Sequence, residues 1–279
     1  MKKLFLGSVA LVALGLGAPA AFAAERPVPA PAYAPPPPVP VYTWSGCYAG
    51  ASAGASYGHS DGYVTTGAST FLGTGPGGTN VPIAAGQPAG GAFGLSGFIG
   101  GFQGGCNYQF GAWVIGFEGD GSATNKSGQS SNSGGTVWNT ATGPVVLGNS
   151  FQEMQERWLV TARGKLGWTV WDKTMIYVTG GGAWAKIDSS SFFGNLAFGV
   201  RGGLQSDTRS GWTVGAGAEY ALGYGWSVKG EYLYVDFGSW TTFSQCPTAT
   251  GGCLVGGSTN ESVNLKDHIF RVGMNYKFL

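Results

Sequence analysis

The sequence predicts an all-β protein, an eight-stranded antiparallel transmembrane β-barrel, and three observations lead to this prediction. Many segments alternate between apolar and polar residues at every step, which is the period of a strand with two different faces. The chain combines 52 Gly with ten Trp, twelve Tyr and sixteen Phe, while only 10% of its residues are charged. Long and short connections between the segments alternate strictly, as they do in barrels that cross an outer membrane.

The first 23 residues have the features of a secretory signal peptide. Lys2 and Lys3 precede an apolar run from Leu4 through Gly17, and Ala21-Phe22-Ala23 forms a small-x-small cleavage site. The apolar run is too short for a membrane-spanning helix, which needs roughly 20 apolar residues. We therefore expect export through a cleaved signal peptide, with any membrane crossing made by strands.

Residues 24–43 form a predicted Pro-rich periplasmic spacer. Eight of the fourteen prolines fall between Ala24 and Val41, including the run Pro35 to Pro38. Such a composition favours an extended, unpaired backbone that acts as a semi-rigid spacer. The predicted barrel domain follows it, over residues 44–279.

Eight segments of the barrel domain have strand period. In the clearest, Arg157 to Val170, Trp158 and Trp168 lie ten residues apart at the two ends of one apolar face. This spacing matches the roughly 9 to 11 residues of a tilted strand that spans a bilayer. In chain order, the segments begin near Cys47, Phe98, Trp113, Arg157, Met175, Trp212, Trp226 and Asp267.

The connections indicate which end of the barrel faces the periplasm. Short turns are predicted around Tyr108–Phe110, Trp171–Lys173 and Gly223–Gly225, and the other four connections are long and rich in Gly, Ser, Thr and Asn. Outer-membrane barrels have short periplasmic turns and long extracellular loops. A soluble β-sandwich is the alternative fold, but it gives no reason for tryptophans at both ends of strand after strand.

The polar faces of the segments are predicted to line the barrel interior. A slip of one residue in the fourth segment would turn Arg163 and Lys165 toward lipid, at about 2 to 4 kcal/mol each near the midplane. Because buried charges need partners, we expect a paired network that fills the narrow lumen. Its predicted members are Glu118, Asp120, Arg163, Lys165, Glu219, Lys229, Glu231, Asp267, Arg271 and Lys277.

Four cysteines in an exported chain predict disulfides, and the barrel topology selects one of the three possible pairings. Cys47 begins the first strand and Cys106 ends the second, so antiparallel pairing brings both to the periplasmic rim. Cys246 and Cys253 share the last long loop on the opposite side. A bond between the two groups would have to cross the membrane thickness, so we predict Cys47 with Cys106 and Cys246 with Cys253.

Catalytic and cofactor sites are not predicted. Gly73-x-Gly75-x-x-Gly78 has the glycine spacing of a dinucleotide-binding motif. It includes Pro76 and no predicted helix follows it, so we do not interpret it as a cofactor site. The two histidines lack partners in the pattern: His59 falls in the first long loop, and His268 lies on the lipid face while Asp267 faces the lumen. A net charge of +1 argues against a nucleic-acid partner. We expect neither an enzyme, nor a bound cofactor, nor a metal site.

Several motifs together resemble the outer-membrane β-barrel proteins of alphaproteobacteria, OmpA-like porin-family surface antigens with one eight-stranded barrel. The resemblance covers nearly everything after the spacer. It rests on Trp44-Ser45-Gly46-Cys47-Tyr48, Gly104-Gly105-Cys106-Asn107-Tyr108-Gln109, Gly116-Phe117-Glu118-Gly119-Asp120, Tyr177-Val178-Thr179-Gly180-Gly181, Glu231-Tyr232-Leu233-Tyr234-Val235-Asp236 and Arg271-Val272-Gly273-Met274-Asn275-Tyr276-Lys277-Phe278.

The last of these motifs is similar to the terminal signal that the barrel-assembly machinery reads, carried here by Gly273, Tyr276 and Phe278. Leu279 departs from the pattern, since such chains usually stop at the aromatic residue. The resemblance implies a monomeric barrel in the outer membrane of a Gram-negative bacterium, in contact with membrane lipid. It implies a structural, surface-exposed role in membrane integrity and contact with the environment or a host. A narrow diffusion channel for small polar solutes is the alternative, and the extracellular partner of the loops is left open.

Overall fold

The structure is a computed structural model that describes residues 42–65, 69–72, 79–82, 85–86, 92–132, 136–140, 143–147, 149–195, 199–245 and 258–278. The predicted signal peptide and most of the predicted spacer lie outside the described residues, so these domain boundaries stay predictions. Among the described residues, no helix has the length and apolar character needed to cross a membrane.

The described chain folds into thirteen β-strands. They are β1 (Gly46–Val64), β2 (Ser69–Leu72), β3 (Thr79–Pro82), β4 (Phe93–Phe110), β5 (Trp113–Thr124), β6 (Ser127–Asn132), β7 (Thr136–Thr140), β8 (Gly143–Leu147), β9 (Asn149–Trp171), β10 (Thr174–Asn195), β11 (Gly199–Gly223), β12 (Trp226–Gln245) and β13 (Ser258–Lys277).

Eight of these strands close into one antiparallel ring, which confirms the predicted fold class. The order around the ring is β1, β13, β12, β11, β10, β9, β5 and β4, and β4 returns to β1. β1 closes the barrel because it pairs on one side with β13, from Tyr48 opposite Lys277, and on the other with β4, from Gly46 opposite Asn107. Closure leaves the ring without an unpaired edge.

The remaining short strands belong to the connections. β6 continues the direction of β5 after a break at Asn125 and Lys126, and it pairs with β9 and at one position with β4. β2 pairs with β3, and β7 pairs with β8, as separate two-stranded ladders.

Short turns lie where the alternation predicts them. Two residues join β4 to β5 and β9 to β10, and Tyr224 with Gly225 joins β11 to β12. Tyr224 has a φ of 52° and Gly225 a φ of 83°, so this turn uses the left-handed region at two consecutive residues. These turns, the start of β1 at Gly46 and the end of β13 at Lys277 lie at the same end of the barrel, which is the periplasmic end.

The connections that were predicted to be long loops contain paired strands, which their Gly-, Ser- and Thr-rich composition did not predict. β10 and β11 pair from Thr174 opposite Tyr220 as far as Asn195 opposite Gly199, so the third long connection is largely an extended hairpin. The reason is that a ladder needs only backbone hydrogen bonds. Beyond the membrane no face meets lipid, so strand pairing continues there without an apolar alternation in the sequence.

The outer surface carries the apolar band that crosses the bilayer. Its periplasmic edge is an inner girdle of Trp113, Trp168, Trp226 and Tyr276, and its other edge is an outer girdle of Trp158, Trp184, Trp212 and Tyr234. Aromatic rings pack across neighbouring strands within each girdle, as Trp113 does on Trp168 with ring centroids 4.4 Å apart. Aromatic girdles at both interfaces are characteristic of outer-membrane barrels.

The barrel interior is layered. A periplasmic apolar layer contains Trp44, Val114, Met175, Tyr177 and Ala221. Charged residues fill the middle, and an outer apolar layer lies toward the extracellular end, formed by Leu95, Ile99, Met154, Leu159, Ala183, Ala185, Ile187, Leu233, Val235, Phe237, Leu265 and Ile269. Sequence analysis predicted a polar interior, and these apolar layers are a correction. An interior this narrow is packed by side chains as a protein core is, so apolar residues also belong there.

Candidate functional site

Eight charged side chains from five strands meet in the middle of the barrel, and we call them the central network. All eight side chains are nearly inaccessible to solvent, since strand alternation turns them inward. Four acids and four bases make the formal charge of the set zero. The members are Glu118 and Asp120 on β5, Arg163 and Lys165 on β9, Glu219 on β11, Lys229 and Glu231 on β12, and Arg271 on β13.

Glu118 is the residue with the most cationic partners in this network. Its Oε1 accepts from Arg163 Nη2 at 2.7 Å and from Lys229 Nζ at 2.6 Å. Its Oε2 accepts from Lys165 Nζ at 3.1 Å and from the Tyr48 hydroxyl at 2.7 Å. A carboxylate with four such donors has its hydrogen-bonding capacity filled.

Glu231 joins the other side of the network. Arg163 Nη1 donates to its Oε1 at 2.9 Å, and Arg271 Nε donates to its Oε2 at 2.7 Å. Arg271 Nη2 lies 2.6 Å from the same oxygen as an ion pair. The Tyr177 hydroxyl also donates to Oε1, at 3.1 Å. Arg271 further contacts Asp120 through Nη1. Arg163 and Arg271, with Glu231 and Asp120, therefore link four strands across the lumen: β5, β9, β12 and β13.

Polar side chains extend the central network toward the periplasmic end. Glu219 Oε1 accepts from Ser227 Oγ at 2.5 Å and from Asn275 Nδ2 at 2.9 Å. Asn275 Oδ1 in turn accepts from Gln103 Nε2 at 2.6 Å. Lys165 lies 3.8 Å from Glu219 Oε2, which connects this branch to Glu118.

Inward-facing glycines make room for the tyrosines of the network. A Cβ on Gly217 would lie 2.6 Å from the Tyr177 hydroxyl oxygen, and one on Gly105 would lie 2.8 Å from that of Tyr48. Both separations are shorter than atoms tolerate. Part of the high glycine content is therefore a requirement for placing large side chains in a narrow lumen.

Asp267 is separate from the central network, although sequence analysis included it there. Lys126 Nζ donates to Asp267 Oδ2 at 2.5 Å and to Glu156 Oε2 at 2.6 Å, and all three side chains are fully buried. We call these three residues the outer triad. It holds two acids and one base, beside the outer apolar layer.

Sequence analysis missed Lys126 and Glu156 because local irregularities turn them inward. Lys126 lies at the break between β5 and β6, where Asn125 Oδ1 accepts from the Phe98 amide at 2.8 Å. The alternation of β9 is shifted just after Glu156, so that Arg157 and Trp158 both face outward. In the sequence, two consecutive outward residues, Arg157 and Trp158, interrupt the alternation just before the girdle. Recognising this interruption would have predicted that Glu156 faces inward.

Lys277 also lies outside the central network. Its Nζ donates to the Thr43 carbonyl oxygen at the periplasmic rim and lies 4.5 Å from the centre of the Tyr42 ring. The last inward position of β13 reaches the chain segment before β1, beyond the charged middle of the lumen. Lys277 therefore connects the two ends of the barrel domain.

Cys47 and Cys106 form a disulfide between directly opposed residues of β1 and β4. The bond lies at the periplasmic end, as the topology predicted. Cys246 and Cys253 lie outside the described residues, so their pairing stays a prediction.

The residues of the predicted assembly signal occupy both faces of β13. Tyr276 and Phe278 are exposed on the outer surface, where Tyr276 packs on Trp226 with ring centroids 5.0 Å apart. Gly273 faces inward, and a Cβ there would lie 2.9 Å from Gln103 Nε2. Packing against Gln103 therefore accounts for glycine at position 273, independently of any assembly signal. Leu279 lies outside the described residues.

The histidines are far from the interior charges. His59 lies on β1 rather than in a loop, which corrects the prediction, and its Nε2 is 3.1 Å from Asp61 Oδ1 on the exposed surface. His268 faces outward, where its Nδ1 lies 2.7 Å from the Tyr232 hydroxyl, while Asp267 faces the lumen. Within the described ranges, no group of three or more His, Cys, Asp or Glu residues is arranged to hold a metal ion.

The geometry defines the class of the protein. A closed antiparallel ring of eight strands, an apolar outer band between two aromatic girdles, and, within that band, charges only on the inward face together make an outer-membrane β-barrel.

The chain belongs to the family described as the outer membrane protein beta-barrel domain, whose model matches residues 8–278. It is 36% identical over 187 residues to the 31 kDa outer-membrane immunogenic protein of Brucella melitensis biotype 1, a match that covers 65% of this chain and 67% of the relative. The same identity and coverage hold for the protein of that name from Brucella suis biovar 1. The protein is thus located in the outer membrane of a Gram-negative bacterium.

Solved structures give weaker similarities. The outer membrane protease OmpT from Escherichia coli aligns with 9% identity and a TM-score of 0.47, over 86% of this chain and 99% of that one. The outer membrane protein OprG from Pseudomonas aeruginosa aligns with 13% identity and a TM-score of 0.42, over 84% and 96% of the two chains.

Proposed function

We propose that this protein is a closed outer-membrane barrel with a structural, surface-exposed role, and that its lumen does not conduct ions. The single observation that carries the proposal is the central network. Its eight charges come from five strands, balance to zero and pair with one another by direct contacts such as Lys229 to Glu118 at 2.6 Å. A pore needs charges that water can reach, whereas these are desolvated and paired.

The two apolar layers support closure of the lumen independently of the charges. Leu159, Leu233 and Ile269 are fully buried on the extracellular side of the network, and Val114 and Met175 are fully buried on the periplasmic side. An eight-stranded barrel is just wide enough for side chains to fill it. An ion would have to cross both layers without a polar partner.

The surface role is proposed from the extracellular part of the barrel. β10 and β11 extend ten or more residues beyond Trp184 and Trp212 in a paired ladder, which carries a stiff surface well past the bilayer. The relatives from Brucella are named as immunogenic outer-membrane proteins. We infer that the extended hairpins of this protein likewise present surface to the environment or a host.

The proposal includes a non-enzymatic role. In the part of the chain that the structure describes, both histidines lie on the outer surface, where His59 bonds with Asp61 and His268 with Tyr232. The charged residues of the central network are engaged with one another and lie between the two apolar layers.

We propose that the lipid of the outer membrane surrounds a monomer, inserted by the barrel-assembly machinery through Gly273, Tyr276 and Phe278. The ring closes within one chain by the β1–β13 and β1–β4 ladders, so a single copy pairs all of its barrel strands. The apolar band between the girdles is then available to lipid around the circumference.

Planar-bilayer recording tests the closed lumen. Protein extracted from the outer membrane is first checked by heat-modifiable gel mobility, and the same material is then recorded. We expect no stable conductance from the wild type. As a matched control, Arg271→Ala combined with Leu233→Ala removes one central cation and one outer-layer side chain, and we expect discrete openings from it.

A large, stable conductance from the wild type would contradict the closed lumen and favour the alternative, a narrow diffusion channel for small polar solutes. If neither the wild type nor the double variant conducts, and both keep the gel mobility of the folded protein, other side chains also close the lumen.

A further inference from the structure

A cavity of about 170 Å³ lies inside the extracellular end of the barrel, above the outer apolar layer. Phe93, Met154, Val263 and Trp240 supply apolar wall. Leu265 and Phe237 of the apolar layer are the next inward residues below Val263 and Trp240 on the same strands. This part of the barrel is beyond the outer girdle, so the cavity is outside the bilayer. The rest of the lining is mostly polar, and concave sites that combine apolar wall with polar groups are typical of small-ligand sites.

One polar group of the cavity lacks a partner. Glu261 is 3% exposed, yet its Oε1 has no hydrogen-bond partner in the described structure. Its other oxygen accepts a long hydrogen bond of 3.4 Å from Gln152 Nε2. A buried carboxylate oxygen without a donor is costly, so it marks a position where a ligand donor is missing.

The electrostatic surroundings favour a cation. Among the described residues that line the cavity there are two acids, Glu261 and Glu153, and no Lys, Arg or His. The nearby outer triad contains two acids and one base. Arg209, which stacks on Trp240 at 4.9 Å, is paired with Asp207 at 2.8 Å and so does not neutralise Glu261.

We propose that this cavity binds a small organic cation, a primary ammonium with an apolar body, and that Glu261 receives the ammonium. An ammonium group supplies the N–H donor that Oε1 lacks, which a quaternary cation does not. The apolar body packs against Phe93, Met154 and Trp240. Ser60 and Ser191, which also line the cavity, offer hydroxyl oxygens for the remaining ammonium hydrogens. The site does not depend on whether the lumen conducts.

Titration of the folded full chain in detergent with phenethylammonium tests the proposal, read by Trp fluorescence and calorimetry. We expect saturable binding of one equivalent. Glu261→Gln keeps the shape of the side chain and removes its charge, and we expect affinity to fall by roughly tenfold to a hundredfold, as for loss of a charged hydrogen bond. The control Asp172→Asn removes an exposed carboxylate in the periplasmic turn between β9 and β10, far from the cavity, and should leave affinity unchanged.

A ligand series on the wild type keeps the test independent of whether the Glu261→Gln variant folds. Phenethyl alcohol has the same apolar body without the charge, and phenylacetate reverses the charge; both are expected to bind at least tenfold more weakly, since neither can pair with the carboxylate. The absence of saturable phenethylammonium binding, equal binding of the alcohol, or equal affinity in the folded Glu261→Gln variant would each overturn the proposal.

Discussion

At the scale of single residues, the charged side chains of the interior differ in how many partners each one holds. Glu118 contacts Arg163, Lys165 and Lys229 at 3.1 Å or less, while Glu219 reaches a single cation at 3.8 Å. Removal of a charge that several buried ions share weakens the compensation of all of them at once. The position of a carboxylate within the network therefore matters more than its burial alone.

Glu118→Gln is predicted to destabilise the barrel by about 3 to 5 kcal/mol, because it leaves buried cations without their main acid. The measurement is the free energy of unfolding in lipid vesicles, followed by heat-modifiable mobility across a urea series. Glu153→Gln, on the exposed face of β9, is the control and should change stability little. Equal shifts in the two variants would show that the central pairing does not stabilise the fold.

Glu261 predicts a pH dependence of stability. It lies seven residues beyond His268 in the part of β13 outside the bilayer, and burial raises the pKa of its carboxyl to about 7. Because the folded pKa is above the unfolded one, the stabilisation belongs to the neutral form. It is fully present below about pH 4.3 and is lost as the pH rises through 7.

The expected loss of stability from Glu261 ionisation is on the order of 3 kcal/mol between acidic and mildly alkaline pH. Unfolding midpoints of the wild type and Glu261→Gln at pH 5 and pH 8 measure it. The difference between the two pH values should be smaller in the variant. An identical difference would mean that other groups carry the pH dependence.

At the scale of elements, each barrel strand has one face for lipid and one for the interior. On β9, Ala162 lies outward between Trp158 and Trp168, and Val170 lies outward beside the inner girdle. The two positions share a strand and a face and differ in depth. They therefore separate the effect of bilayer depth from that of strand structure.

Ala162→Arg is predicted to cost about 2 to 4 kcal/mol, and Val170→Arg about 0 to 1 kcal/mol, because the cost of a charge on the lipid face falls toward the interface. Both are measured as free energies of unfolding in bilayers of defined thickness. If the two variants are equally destabilised, the band between the girdles is not the membrane-spanning part of β9.

The Cys47–Cys106 bond connects two strands that are already neighbours in the ring. It closes a sequence separation of 59 residues, so the chain-entropy model gives it about 4 kcal/mol. We expect Cys47→Ser with Cys106→Ser to lower stability by that order, measured by unfolding without reductant. Cys246→Ser with Cys253→Ser is the comparison, with about 2 kcal/mol expected from a short loop. Reductant that leaves the wild type unchanged would contradict both values.

At the scale of the whole molecule, ring closure joins the two ends of the barrel domain. β13 lies against β1 over seventeen opposed pairs, from Tyr48 with Lys277 to Val64 with Glu261. Phe278 donates its amide to the Cys47 carbonyl at 3.0 Å, so the end of the chain is held to the first strand. The side chain of Phe278 is exposed and adds little to interior packing.

Phe278→Ala is therefore predicted to reduce the amount of protein inserted into the outer membrane of cells, while purified protein refolds in detergent as the wild type does. The measurements are outer-membrane abundance and heat-modifiable mobility. Tyr108→Ala removes another exposed aromatic residue of the periplasmic end and is the control. Similar losses in both variants would attribute the effect to lipid contact and not to an assembly signal.

Much of this arrangement was predictable from local sequence. The alternation from Asp267 to Phe278 set which side chains face outward, because strand period is a property of consecutive residues. The same logic turned Arg163 and Lys165 inward and brought Cys47 to Cys106. The short turns and the eight barrel strands followed from the spacing of such segments, whereas the paired strands within the long connections did not.

The tertiary structure alone decided which charges meet. Glu118 and Lys229 lie 111 positions apart, and only the ring order and strand registers bring them to 2.6 Å. The shift before Trp158 and the break at Lys126 turned two further charges inward and gave Asp267 a separate cluster. Strand faces are set by neighbours in the chain, whereas partners across a lumen are set by closure of the whole barrel.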